Sequence, residues 1–366
     1  MKIKLYLFWI VGLFAITYLG SILLPLNPNS GLGAVGPQKN FNYWLSLAQW
    51  DGGNFLNIAS NGYFDFQNFA FFPLYPFLIK VVGIFTLGNK LLSAIIISNI
   101  CFILFLTKLY SYVSRITTKK KALSTFLVFL FYPVTFFCLV VYSESLFLFL
   151  AIYCLSAIYE KKFLKASIFA SLASLTRFIG ISLVILVPAI YIMQVKFKPS
   201  NIAKTLLFAA LSSISILLFS AYSFYLTSEP FKFVSVQELW QRNFSDPVST
   251  TFPYIWSILT LQTRPLNDYL DLFLTLIFLF LLMLGVKKIP RELWLFSLLA
   301  ILIPTYTGTL TSMPRRVSRD GMLASSVISM AFINRPSKMP PKMFTLVSFP
   351  LRNWAMDLAG ASGSWP

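Results

Sequence analysis

The sequence predicts an all-α polytopic membrane protein of about nine transmembrane helices, with a large first extracytoplasmic loop that carries interfacial helices. Three observations predict this. Of 366 residues, 57% are hydrophobic and only 11% charged, against about 25% charged in a soluble domain. Several apolar runs reach the roughly 20 residues that a helix needs to cross hydrocarbon. The basic residues fall in short clusters between those runs, as cytoplasmic loops do under the positive-inside rule. That clustering also removes nucleic acid from the partners suggested by the net charge of +18.

The elements follow in order. Lys2 and Lys4 precede an apolar run at 5–26, longer than the roughly 7–15 apolar residues of a signal peptide. It is read as a first span with a cytoplasmic amino terminus. The next basic cluster is Arg115 with Lys119, Lys120 and Lys121, so a single crossing must separate it from the first outer loop. The run 71–87 holds Pro73, Pro76 and Lys80 and is rich in aromatics. It is expected to lie along the outer surface, and the run 91–112 to cross. The run 122–141 goes out, "YSES" at 142–145 makes an outer turn, and 146–159 returns to Lys161, Lys162 and Lys165. The run 166–195 is too long for one span and is read as two short ones with Arg177 near the outer turn. It returns to Lys196, Lys198 and Lys204. The run 206–226 leads to a polar loop over 227–267; 270–286 comes back to Lys287, Lys288 and Arg291; 293–311 goes out again. Residues 1–315 form the transmembrane domain. At 316–366 the composition turns basic and rich in Met and Ser, which is read as a disrupted or disordered tail.

The available chemistry is narrow. There is no histidine and there are 12 acidic residues. Cys101, Cys138 and Cys154 lie inside apolar runs without paired spacing and read as small hydrophobes. Catalysis therefore falls to carboxylates, arginine, lysine or tyrosine. Asp51, in "WDGGNF", sits between Trp50 and two glycines that allow close backbone approach. An aspartate that loses hydration beside a tryptophan is a better proton acceptor; the alternative is a helix N-cap. Asp65 could share the positioning, or simply solubilise the loop. Glu144 in "YSESLF" is an ionisable group at the outer end of a span and a functional candidate by its cost there, or a residue at a wet interface or helix start. Arg177 in "SLTRFIGIS" lies in apolar sequence, where its fork can grip a phosphate while staying charged. It could equally pair with Glu144 or reach for headgroups. Arg315 in "TSMPRR" is a second phosphate candidate or a membrane-edge anchor. Trp44, Tyr63, Phe72 and Tyr75 are interfacial aromatics that could also stack on a sugar.

Together these blocks resemble a known family. "WDGGNFLNIASNGY" followed by "NFAFFPLYP" is similar to the signature of the PIG-V-type mannosyltransferases, the family that includes GPI mannosyltransferase 2. "YSESLF" (142–147), "LTRFIGI" (175–181) and "GTLTSMPR" (308–315) resemble three further blocks in the same order, except that Arg316 stands where a tyrosine usually follows the last arginine. The resemblance implies a GT-C glycosyltransferase. It would take a hexose, typically mannose, from a polyprenyl-phosphate donor such as dolichyl- or undecaprenyl-phosphate mannose. Transfer to a glycan or glycolipid acceptor would occur on the outer or lumenal side, usually with inversion. It implies Asp51 as general base and Arg177 with Arg315 on the donor phosphate. Trp50, Asp65, Tyr75 and Glu144 join the substrate-binding set. No cofactor or metal is implied beyond the lipid-linked donor itself. A transporter or flippase of lipid-linked sugars, or an inactive relative, are the competing readings. The plasma membrane of a prokaryote is expected over the endoplasmic reticulum.

Overall fold

A proline or a glycine marks each place where the helices of this chain stop short of the apolar runs that encode them. The computed structural model describes residues 2–23, 42–131, 133–195, 198–240 and 242–310. Every regular element among them is helical. In chain order these are α1 (Lys2–Leu23), α2 (Tyr43–Ser46), α3 (Asp51–Asn61), α4 (Leu74–Gly83), α5 (Lys90–Ile116), α6 (Lys119–Leu130), α7 (Glu144–Tyr159), α8 (Phe163–Ser174), α9 (Ile181–Gln194), α10 (Pro199–Thr227), α11 (Lys232–Ser235), α12 (Pro247–Leu259), α13 (Leu266–Gly285) and α14 (Arg291–Thr305). Short 3-10 turns occupy Phe66–Ala70, Pro133–Cys138, Phe178–Gly180 and Val236–Trp240.

Among the described residues, four helices are long and apolar enough to cross a membrane: Lys4–Leu23, Lys90–Ile116, Pro199–Thr227 and Asp268–Gly285. The other expected crossings are shorter. The run 122–141 is not one helix. It stops at Leu130, because Pro133 lacks the N–H that a continuing helix needs, and proceeds as a 3-10 turn. The run 166–195 breaks as expected, into α8 and α9 with Arg177 between them. Gly180 makes this break possible: a Cβ there would stand 2.3 Å from the Ala173 carbonyl oxygen. The stretch 227–267 is more than a polar loop. It holds α11 and α12, and α12 exposes Val248, Phe252, Trp256 and Leu259. The structure leaves 24–41 and 311–366 outside the described residues, and with them the end of the first run, Arg315 and the tail.

α7 is the centre of the packing. It is apolar on every side, and its residues from Glu144 to Leu148 and from Leu150 to Ile152 are all buried, as an all-round hydrophobic helix must be. Phe147 faces Phe296 of α14, and Cys154 donates to the Ala166 carbonyl of α8. Small residues bring α8 and α10 together: Ser171 Oγ bonds Ser215 Oγ at 2.7 Å, the close approach that serines allow between membrane helices. α1 and α10 leave large apolar side chains such as Phe8, Leu206 and Leu218 exposed, a lipid-facing character.

A charged hub ties the basic ends of α5, α7 and α8. Glu160 lies 2.5 Å from Arg115, 2.7 Å from Lys162 and 3.8 Å from Lys108. The hydrogen bond from Lys162 is the largest influence and pulls the Glu160 carboxyl down from its ordinary 4.5 to about 2. A lowered folded-state value means that the hub stabilises the fold fully above about pH 4.5 and loses that contribution as the pH falls towards 2. Glu160→Gln should therefore lower the melting temperature at pH 7, and wild type and variant should converge near pH 2 in detergent-solubilised protein.

Candidate active site

The sequence blocks that carry chemistry meet at the end of α7 opposite the Glu160 hub. The first is the segment 47–52. α2 and a turn lead into α3, whose first residue is Asp51, half-buried. Trp50, immediately before it, has φ 52° and ψ −119°. A bulky side chain at positive φ costs about 1–3 kcal/mol and persists only where the surroundings impose it. Here they do. The Val141 N–H donates to the Leu47 carbonyl at 3.1 Å, and the Tyr142 hydroxyl donates to the Gln49 carbonyl at 3.1 Å. Gly52 completes the contact, since a Cβ on it would lie 2.9 Å from the Val141 oxygen. Only glycine lets α3 start so close to the 141–145 strand of backbone.

That second segment leads straight into Glu144, the first residue of α7, 1% exposed. The third block supplies its partner. Arg177 is extended (φ −157°, ψ 149°) in the break between α8 and α9. Its Nη1 stands 3.1 Å from Glu144 Oε1 and donates to Ser143 Oγ at 3.2 Å. Of the alternatives open for Arg177, pairing with Glu144 is thus present, and the pair leaves Arg177 17% exposed.

"AFFPLYP" closes the group. The Leu74 N–H donates to the Leu175 carbonyl at 2.9 Å, joining it to "LTRF". Tyr75 is fully buried, with its ring edge-on to Phe55. Its hydroxyl reaches Ser98 Oγ at 2.8 Å and the Ala94 carbonyl, and Ser98 Oγ donates on to the Tyr142 carbonyl at 3.2 Å. Burial pushes the Tyr75 hydroxyl up, and the nearby Glu144 charge adds to this. With no ring face open to a sugar, Tyr75 here connects α4, α5 and the Tyr142 backbone. Phe72 is buried as well, against Phe219 and Phe233.

The remaining candidates lie apart. Asp65 is exposed and caps the Phe66–Ala70 turn, accepting from the Gln67 N–H at 3.0 Å. Tyr63 donates to the Phe71 carbonyl at 2.7 Å, and Trp44 is largely exposed. Among the described residues no three Cys, Asp or Glu side chains gather as a metal-ligand set. One residue escaped the sequence reading. Gln49 Oε1 is buried beside Trp50 with no hydrogen-bond partner, an arrangement that calls for an explanation. A search confined to ionisable groups passes over an uncharged amide; its place directly before "WD" was the available signal.

Comparison with known proteins covers this same region. The family model for mannosyltransferase (PIG-V) matches residues 17–181, a stretch that contains Asp51, Glu144 and Arg177, and bears out the resemblance read from the motifs. GPI mannosyltransferase 2 of Drosophila pseudoobscura pseudoobscura is 33% identical over 134 residues, 31% of this chain and 30% of that protein. The match thus spans less than a third of the relative's length. That relative is eukaryotic and lends no support to a prokaryotic membrane.

The buried pair makes a stability prediction. Removing one partner of a buried ion pair strands the other charge, at a cost of about 3–5 kcal/mol. Glu144→Ala should destabilise by that order in denaturant titrations, and Glu144→Ala with Arg177→Ala should destabilise less than the sum of the two single changes.

Proposed function

We propose that this chain is a membrane mannosyltransferase of the GT-C type, which moves mannose from a polyprenyl-phosphate donor to a hydroxyl of an extracytoplasmic glycan or glycolipid acceptor, with inversion. The observation that carries the reading is the packing of the turn that bears Asp51 against the 141–142 backbone that leads into Glu144, the partner of Arg177. A carboxylate and a guanidinium on neighbouring segments are what a one-step displacement at an anomeric carbon needs.

In this reading Asp51 takes the proton of the acceptor hydroxyl as its oxygen bonds to the anomeric carbon of the donor. The bond from that carbon to the phosphate oxygen breaks, and its electron pair leaves on the phosphate. Attack opposite the leaving group inverts the anomeric centre. Arg177 offsets the charge that grows on the phosphate, a role that the family resemblance extends to Arg315. Glu144 holds the Arg177 fork in place, a positioning role. The basic clusters at the far end of the helices support an extracytoplasmic location for this site under the positive-inside rule.

Two variants test the assignment with purified chain, a polyprenyl-phosphate mannose donor and a lipid-linked acceptor. Asp51→Asn should lower turnover by about 10²–10⁴-fold, the usual worth of a general base, at unchanged yield and melting temperature; turnover within a few fold of wild type would refute it. Arg177→Lys keeps the charge but loses the fork, and should raise the donor KM while leaving the acceptor KM in place.

A further inference from the structure

A half-open cleft of about 450 Å³ lies away from Asp51, between the first outer loop and the segment after α10. Its volume falls within the roughly 300–1,000 Å³ of small-ligand sites. Phe66, at the start of the 3-10 turn that Asp65 caps, forms one wall; Glu229, Lys232, Ser235, Glu238 and Leu239 contribute to the rest. Both walls are braced. Phe69 and Phe72, just beyond Phe66, pack into a buried cluster with Phe219, Phe233 and Val236. The two outer segments are therefore clamped together by aromatic packing directly behind the cleft.

The lining is chemically mixed. Phe66 is 58% exposed and Leu239 60%. The Lys232 ammonium stands 5.5 Å from the centre of the Phe66 ring and 3.0 Å from Glu229 Oε1, and Ser235 Oγ donates to Glu229 Oε2 at 3.0 Å. These bonds hold the Glu229 carboxyl below its ordinary value, so it accepts hydrogen bonds as an anion. Glu238 brings a second carboxylate. The exposed part of Phe66 that Lys232 does not cover suits the C–H face of a sugar ring, whose hydrogens meet the negative side of the ring's quadrupole. Carboxylates and an ammonium suit its hydroxyls through charge-assisted bonds. An anionic headgroup would meet two carboxylates against one ammonium, which disfavours it.

Position adds the remaining argument. α3 leads from Asp51 at one end to Ser60 and Asn61 at the other, and its 11 residues rise about 16 Å. The far end is fixed at the start of α5, where Lys90 Nζ donates to Ser60 Oγ at 2.8 Å. The chain then turns directly into Phe66. The cleft thus follows the end of α3 opposite to the proposed base, and Asp51 is not among its lining residues. We infer that the Phe66–Glu229–Glu238 cleft is a binding subsite for neutral sugar units of the acceptor remote from the hydroxyl that reacts. This rests on the glycosyltransferase reading above for its role in turnover, but binding can be read without turnover.

The test uses the full chain in nanodiscs, with octyl α-mannoside and an octyl mannotetraoside as probes and saturation-transfer NMR as the binding readout. Wild type should bind the tetraoside at least ten times more tightly than the monoside. Phe66→Ala and Glu238→Gln should each reduce that preference to within about two-fold, with the melting temperature retained. Asp51→Asn should keep the preference while losing transfer, which separates a failed subsite from a failed catalytic assignment. A wild type without the length preference would overturn the inference. So would a preference that survives both cleft variants, or vesicles of anionic lipid displacing the tetraoside.

Discussion

The contact between Glu144 and Arg177 is the constraint around which this end of the molecule is arranged. A carboxylate that is 1% exposed carries a desolvation penalty of several kcal/mol unless a partner meets it in good geometry. The partner comes from a segment that must leave helical conformation to deliver it. α8 therefore stops at Ser174, Arg177 stands extended, and α9 restarts at Ile181. Gly180 allows the chain to pass against the Ala173 carbonyl while doing so. The Leu175 carbonyl exposed by the break is taken up by the Leu74 N–H. One ion pair thus accounts for a helix break, an obligatory glycine and the docking of the segment that leads into α4.

The same end of α7 explains why the loop blocks are so far apart in sequence yet act as one unit. The 47–52 segment has backbone bonds to 141–142, that segment continues into Glu144, and Tyr75 with Ser98 links α4 and α5 to the Tyr142 carbonyl. The strain at Trp50 is sustained because these bonds over-determine the turn.

Much of this was legible in the sequence, for identifiable reasons. Arg177 inside a long apolar run announced a break, because a guanidinium in hydrocarbon is expensive, and the break is where it was expected. The convergence of the motif blocks followed from their resemblance to one family, and the match over residues 17–181 includes the first three. Other features were hidden. Tyr75 and Phe72 were read as interfacial aromatics and are buried, since composition cannot tell an interfacial ring from one folded under a loop. The length of the run 122–141 concealed the stop at Leu130, because hydropathy sums over a proline without registering its missing donor. The apolar face of α12 was masked by polar neighbours on either side, and Gln49 by its lack of charge.

The unequal lengths of the helices have one more consequence. α5 has 27 residues and α7 has 16, about 40 Å against 24 Å. Their basic ends are level, since Arg115 bonds Glu160, so α7 stops well short of the far end of α5. Ser98, eight residues below Lys90, touches the Tyr142 backbone. Glu144 consequently lies about 12 Å along α5 from the Lys90 end, so α7 supports α5 only from the hub inward, and the first turns of α5 are held by Ser60 of α3 and Tyr75 of α4 instead.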